Sequence, residues 1–495
     1  MTTNKVVYLV NAGNDDGMAS IANDSCFPAL GVLALGTWIK EKIPNIEVIC
    51  RDGQVTSSEK IKDIIWDKSP LVLGISTLST SYQKAIDIAY EAAAFGTTII
   101  LGNDHAAQTA PTIMRAHPFV SAVVCSEYGE ESLEMLVRHA LGENIDIDHI
   151  PHLSLYHGWL GKRGAEDFDY KARQGELSII NSRLNRSGSR KDALDVFPII
   201  DRTLFPEDHW QTYLKNYKNK FEHLHNDEIT GVTTMNRARG CSRQGDFVCK
   251  HCDMGLDISF SSPAKFWEEV KSAHEQINAN VFYEVCDSFS SFGSFVKSVA
   301  EQRPEDLGFN PHFFVYAQAL DLVRRPEMVE HFQKIGVFRA NLGLESGGDT
   351  TLRHMKGRHD SVENNYAALR MLKGAGIYVY GSFVLGTEVE TPATLEETVG
   401  WIKKIIVEGL LQDVEVQPIL PLPNNYYGNS LIKEGLWNPT IDWPRNTDEI
   451  SQSYINNFSG VSYQDVLHAA KEVRDFAKKH SINYGSGVSK EERYS

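Results

Sequence analysis

Three of the chain's seven cysteines, Cys241, Cys249 and Cys252, fall within twelve residues. Seven residues separate the first pair and two separate the second. Thiolates grouped on one loop suit a soft metal centre. Four would close a zinc site or complete an ordinary iron–sulfur cluster. Three leave one iron of a [4Fe-4S] cluster without a protein ligand, so an outside molecule can bind there. The competing set is zinc on Cys241, Cys249, Cys252 and His251. In that set His251 stands between two cysteines and is awkwardly placed as a fourth ligand.

Such a loop needs a rigid support. The β-branched, apolar run from Ile229 to Met235 reads as a strand. Asn236, Arg237, Arg239 and Gly240 follow it and lead into the cysteines. The loop therefore falls at the C-terminal end of a strand, where α/β barrels keep their active sites.

The bulk properties narrow the class. A chain of 495 residues should hold two or three domains. A net charge of −16 argues against a general nucleic-acid binder, which would carry a basic face. Lys5 to Val10 is a short strand with no cleavage pattern after it, so no secretory signal is expected. No apolar run approaches the roughly 18 residues needed to span a bilayer. An odd cysteine count without a disulfide framework points to a reduced, cytoplasmic chain.

Residues 5 to about 150 alternate strand and helix, which predicts a doubly wound parallel sheet. Such sheets bind ligands beyond the carboxyl ends of their strands. Residues 151–225 read as a linker with short helices, and its basic stretch either faces solvent or binds a phosphate or carboxylate of a substrate. From 226 to 435 the alternation resumes with six βα units, an incomplete (β/α)6 barrel. Residues 436–495 form an extension in which Trp437, Trp443, Tyr454 and Phe458 either cap the barrel mouth or pack on its wall. Tyr463 to Lys479 reads as an amphipathic helix.

The cysteine loop after the first barrel strand resembles that of the radical S-adenosylmethionine (SAM) family. The usual loop there is Cys-x3-Cys-x2-Cys with an aromatic before the last cysteine. Here the first gap is seven residues, and His251 takes the aromatic's place. Three further stretches are similar to that family: Gly343 to Gly347 with Leu352, Met355 and Lys356 downstream; Gly381 to Gly386 with Glu390 and Thr391; and the turn Pro421 to Tyr427. The N-terminal loops Phe27 to Gly31, Gly102 to Ala106 and Ser126 to Ser132 resemble the cobalamin-binding domain that precedes many radical SAM cores. Asn103 replaces a usual second glycine, and there is an apparent insertion at Tyr128. The loop at Asp52 and Gly53 has no histidine to ligate cobalt, which implies cobalamin held without that bond.

The resemblance implies residue roles. Cys241, Cys249 and Cys252 would hold the [4Fe-4S] cluster. Glu345 would hold SAM, unless it is a structural carboxylate paired with Arg237 or Arg339. Asp287 and Ser288 would contact the methionyl part of SAM, and the Gly381–Gly386 strand would let adenine approach the backbone. Ser76, Thr77, Gly102, His105 and Glu127 would contact cobalamin, unless His105 is a capping or structural histidine. Cys286 reads as a buried small hydrophobe. The implied activity is cobalamin-dependent methylation of an unactivated carbon or phosphorus centre of a small metabolite, with electrons from a flavodoxin or ferredoxin. The alternatives are a radical rearrangement or other bond formation without methyl transfer, and a metal- or cobalamin-binding protein without turnover. Nucleic acid and membrane are not expected partners.

Overall fold

The computed structural model describes residues 5–14, 25–125, 128–146, 150, 153–156, 179–181, 193–243, 248–252, 258–438, 443–444 and 447–484. Two sheets carry the chain, the first mostly parallel and the second wholly so. The first comprises β1 (Val6–Asn11), β2 (Glu47–Asp52), β3 (Val72–Ser76), β4 (Thr98–Gly102), β5 (Ala122–Val124), β6 (Leu153–Tyr156) and β7 (Ile179–Asn181). Their order is β2-β1-β3-β4-β5-β6-β7, so the connection order reverses at β1. β1 is buried along its whole length, as a strand covered by helices on both faces must be. β6 and β7 run antiparallel and lengthen the sheet beyond β5. They fall inside the expected linker, where only short helices were anticipated. Pairing with β5 covers what would otherwise be an open strand edge.

The second sheet starts at β8 (Val232–Met235), followed by the two-residue pair β9 (Ala238–Arg239) and β10 (Ser259–Phe260). It continues with β11 (Val281–Glu284), β12 (His312–Ala317), β13 (Val337–Glu345), β14 (Tyr378–Leu385), β15 (Asp413–Pro418) and β16 (Asn483–Tyr484). The order β16-β15-β14-β13-β12-β11-β8 is parallel throughout and leaves β8 and β16 unpaired with each other. The six expected barrel strands are present. β16, from the C-terminal extension, adds a seventh by pairing with β15.

The N-terminal domain and the barrel are packed into one another. The helix Glu207–Phe221 buries His209, Tyr213, Tyr217 and Phe221, one residue per turn on a single face. Phe27, from the loop after β1, sits against Tyr217 and Tyr283 at ring distances of 5.4 and 5.3 Å and stacks on Phe314. Tyr213 donates its hydroxyl to Asp52 Oδ2 at 2.5 Å, and the Ala29 backbone N donates to the same oxygen at 2.8 Å. Arg202 is fully buried. It donates to Thr233 Oγ1, the Thr234 carbonyl and Glu269 Oε1. Glu269 takes a second cation, Arg237, at 2.5 Å.

The extension binds both domains. Trp443 donates its indole N–H to the Ser79 carbonyl and lies edge-on to His105. Tyr454 donates to Glu388 Oε2 and stacks on Phe458. No helix among the described residues is long and apolar enough to cross a membrane.

Candidate active site

The cysteine loop is fastened from several sides. Arg243 donates to Gln318 Oε1 at 2.5 Å, to the Lys356 carbonyl at 2.5 Å and to Asp360 Oδ1 at 2.6 Å. Lys250 N donates to the Met355 carbonyl, and Asn425 Nδ2 donates to the His251 carbonyl. Cys241, Cys249 and Cys252 line one cavity of about 340 Å³ at the carboxyl ends of the barrel strands, with His251, Asp287, Gln318, Glu345 and Lys356. Gln318 Nε2 donates to Cys241 Sγ at 3.1 Å. A hydrogen bond from Cys252, with the Lys356 and Arg243 cations, lowers the Cys249 thiol against the effect of burial. Burial raises the Cys241 thiol.

Among the described residues, no three of His, Cys, Asp and Glu converge tightly enough to chelate one metal ion. His251 Nε2 points to Glu345 Oε1 at 3.7 Å. Cys241, Cys249 and Cys252 line the same cavity, and their three thiolates would suit a [4Fe-4S] cluster.

Glu345 ends β13 in the left-handed region, with φ of 60°. The β13–β14 register shifts there, between Gly343 and Glu345. A Cβ on Gly343 would displace the end of the Glu345 side chain, so glycine there leaves room for that carboxylate. Lys356 Nζ donates to the Gly343 carbonyl at 2.7 Å and stands 3.5 Å from Glu345 Oε1. Burial alone would lower the Lys356 ammonium, but Glu345 and Cys249 outweigh it and raise it. Neither expected arginine is the partner of Glu345. Arg237 pairs with Glu269, and Arg339 pairs with Asp413 among the rings of Phe221, Phe314 and Tyr380.

The other residues expected at SAM take different positions. Asp287 lines the cavity. Ser288 is buried and accepts from Gln318 Nε2 at 3.3 Å. The missing Cβ of Gly381 faces Leu344 and Leu411, in the layer between sheet and helices. Gly386 has φ of 97° and gives its space to Ile455 of the extension. Ser382, Phe383 and Val384, between these glycines, line the cavity. Gln318, Ser382 and Glu415 were not singled out from the sequence. Gln318 directly follows β12, so its place at a strand end was the available signal.

A second cavity of about 450 Å³ lies between the carboxyl ends of the N-terminal strands and the barrel mouth. Ser76, Gly102, Glu130, Arg239, Cys286 and Asp287 are among its lining residues. Asp287 thus borders both cavities. Open space lies where a Cβ on Gly31 or Gly102 would stand. Asn103 has φ of 78° and ψ of 174°, a region that only glycine adopts freely, so asparagine is strained there. Its side chain donates to Ser76 Oγ and accepts from Asp104 N, which accounts for asparagine at that turn.

Thr77 is fully buried, with its N–H on the Gly102 carbonyl and its hydroxyl on the Ile75 carbonyl. His105 turns away from this cavity. It bonds Ser79 Oγ, packs on Tyr82 and borders a smaller cavity of about 190 Å³ with Trp437 and Trp443. Glu127 lies outside the described residues. Burial holds the Cys286 thiol well above its ordinary range.

Residues 235–402 match the model of the radical SAM superfamily. The barrel is a radical SAM domain. Among curated proteins, the chain is similar to the anaerobic magnesium-protoporphyrin IX monomethyl ester cyclase of Rubrivivax gelatinosus. They are 22% identical over 406 residues, 79% of this chain and 64% of that protein. This chain therefore spans less than two thirds of that relative. Among solved structures, it has the fold of the cobalamin-dependent SAM radical enzyme OxsB with aqua-cobalamin and SAM bound. That match has a TM-score of 0.58 at 18% identity, over 97% of this chain and 62% of that one. The radical SAM methyltransferase TsrM from Kitasatospora setae, with cobalamin and [4Fe-4S] cluster bound, matches with a TM-score of 0.60 at 13% identity. There the shares are 87% and 75%. Both likenesses extend beyond the radical SAM domain to include the N-terminal sheet.

Proposed function

We propose that this chain is a cobalamin-dependent radical SAM enzyme that transfers a methyl group to an unactivated carbon or phosphorus centre of a small metabolite. The observation that carries the reading is the meeting of two cavities at Asp287, one bearing three cysteines and the other lying at the carboxyl ends of the N-terminal sheet. When bound, the cofactors supply a carbon-centred radical from SAM and the reduced cluster, and a transferable methyl group from the corrinoid. The residues of the chain position them. Cys241, Cys249 and Cys252 hold the cluster, with Arg243 fixing their loop. Glu345 and Asp287 hold SAM, Glu345 being oriented by Lys356. Ser76 and Gly102 border the corrinoid; Thr77 supports the Gly102 turn from behind. Water-poor walls matter, because a radical attacks any C–H bond in reach and must be held in one geometry. Electrons come from outside the chain, from a flavodoxin or ferredoxin.

A second reading has its own support. The similar curated proteins, from Rubrivivax gelatinosus and Cereibacter sphaeroides, are cyclases in name, which favours radical bond formation without methyl transfer. Anaerobic incubation with SAM and a reductant separates the two. Methyl transfer yields 5′-deoxyadenosine together with S-adenosylhomocysteine. Bond formation alone yields 5′-deoxyadenosine without it. Neither product would rule out both.

A further inference from the structure

Glu130 opens the helix Glu130–Ala140 and is 4% exposed, yet it borders the cavity between the N-terminal sheet and the barrel. Its Oε1 faces Arg239 NH2 at 3.4 Å. Its Oε2 is buried and has no hydrogen-bond partner among the described residues. Arg239 cannot readily swing to serve both oxygens. Its guanidinium lies 5.0 Å from the rings of both Tyr128 and Phe197, two residues ahead of Cys241. A buried carboxylate oxygen without a donor is costly, so a ligand that supplies the donor gains from the site.

The chemistry of the cavity limits that ligand. Leu30, Val32, Leu35 and Leu133 make much of the wall apolar. A carboxylate repels phosphate and other anions. What fits is a large, mostly apolar molecule carrying neutral N–H donors. Resting on the cobalamin reading above, we propose that Glu130 is a shared carboxylate. Its Oε1 holds Arg239, and its Oε2 accepts a hydrogen bond from a side-chain amide of the corrin ring. One residue then ties the corrinoid to the strand that leads into the cluster loop.

The test uses full-length protein with reconstituted cluster, titrated anaerobically and followed by corrin absorbance. Three probes are compared: hydroxocobalamin; dicyanocobinamide, which keeps the ring amides but lacks the nucleotide base; and dicyanocobyrinic acid heptamethyl ester, whose ring side chains carry no N–H. Glu130→Leu should weaken binding of the first two about tenfold or more, the loss expected of a charge-assisted hydrogen bond, and leave the ester unchanged. Should that variant fold poorly, as judged by iron content and circular dichroism, Glu130→Gln carries the test. It keeps the shape and loses acceptor capacity, and about threefold weaker binding of the same two probes is expected. Equal weakening of all three probes would mean general disruption and overturn the proposal. So would unchanged binding, or a loss confined to hydroxocobalamin, which would assign Glu130 to the nucleotide arm. Wild-type protein that binds none of the three would overturn the cobalamin reading itself.

Discussion

Lys356 and Glu345 form a buried ion pair at the barrel mouth, with Nζ 3.5 Å from Oε1 and both side chains less than a tenth exposed. Removing one partner of such a pair leaves an uncompensated charge, at a cost of about 3–5 kcal/mol. Lys356→Met should lower the unfolding free energy by that order, and the double variant Lys356→Met/Glu345→Gln should recover most of it. Urea unfolding of the cluster-free variants measures both. A single variant as stable as wild type would mean that the pair contributes nothing.

The left-handed backbone of Glu345 gives a sharper comparison at one position. An L-residue there is strained by about 1–2 kcal/mol, and glycine is not. Glu345→Gly should therefore be about 1 kcal/mol more stable than Glu345→Ala. On the proposed function both should lose SAM affinity alike, by tenfold or more in equilibrium dialysis. A glycine variant no more stable than the alanine variant would remove the strain argument.

Iron content tests the cysteine assignment. Reconstituted wild type should hold about four irons per chain. Replacing Cys241, Cys249 and Cys252 together by alanine should abolish them, whereas Cys286→Ala should retain them. If Cys286 were required and Cys241 dispensable, the long first gap of the loop would have been misread.

Glu284 introduces a pH dependence of known sign. Burial pushes its carboxyl up to about 8, against lowering by the Arg237 and Ala238 backbone N–H groups. The folded chain thus keeps a proton that the unfolded chain loses near its ordinary value of 4.5. Stability from this group is complete below about pH 4.5 and is lost as pH rises toward 8. Glu284→Gln should gain on wild type across that window and hold a constant difference above it. Thermal unfolding of both proteins from pH 4 to 9 gives the difference curve; a flat one would refute the shifted carboxyl.

The sequence carried the architecture further than the side-chain partners. Of the six barrel strands, β8, β11, β12 and β14 were legible as runs rich in β-branched and aromatic residues, and β13 and β15 from their place in the strand–helix alternation. β16 was not, since Asn483 and Tyr484 have no local strand signal and are ordered by pairing with β15. β6 and β7 were hidden for a similar reason, in a stretch whose polar composition reads as linker. At the site, Lys356 stood in a recognised stretch, but arginines 237 and 339 were the more obvious partners for Glu345. Both are instead drawn into the core by Glu269 and Asp413. For His105 the sequence left a ligand contact and a structural role equally open. The helix Asp104–Ala116 begins one residue earlier and rotates it onto Tyr82.

Phe27 belongs to the first domain by sequence but packs on the Tyr283 and Phe314 rings of the second. A barrel excised on its own would expose those rings to water, together with Tyr217 if the preceding helix were kept. The excised N-terminal sheet would be left with an unpacked phenylalanine and with Asp52 stripped of its Tyr213 donor. Neither half is therefore a transferable module. An engineer grafting this barrel onto a different N-terminal domain, or lineages exchanging domains by recombination, would have to bring the loop with it.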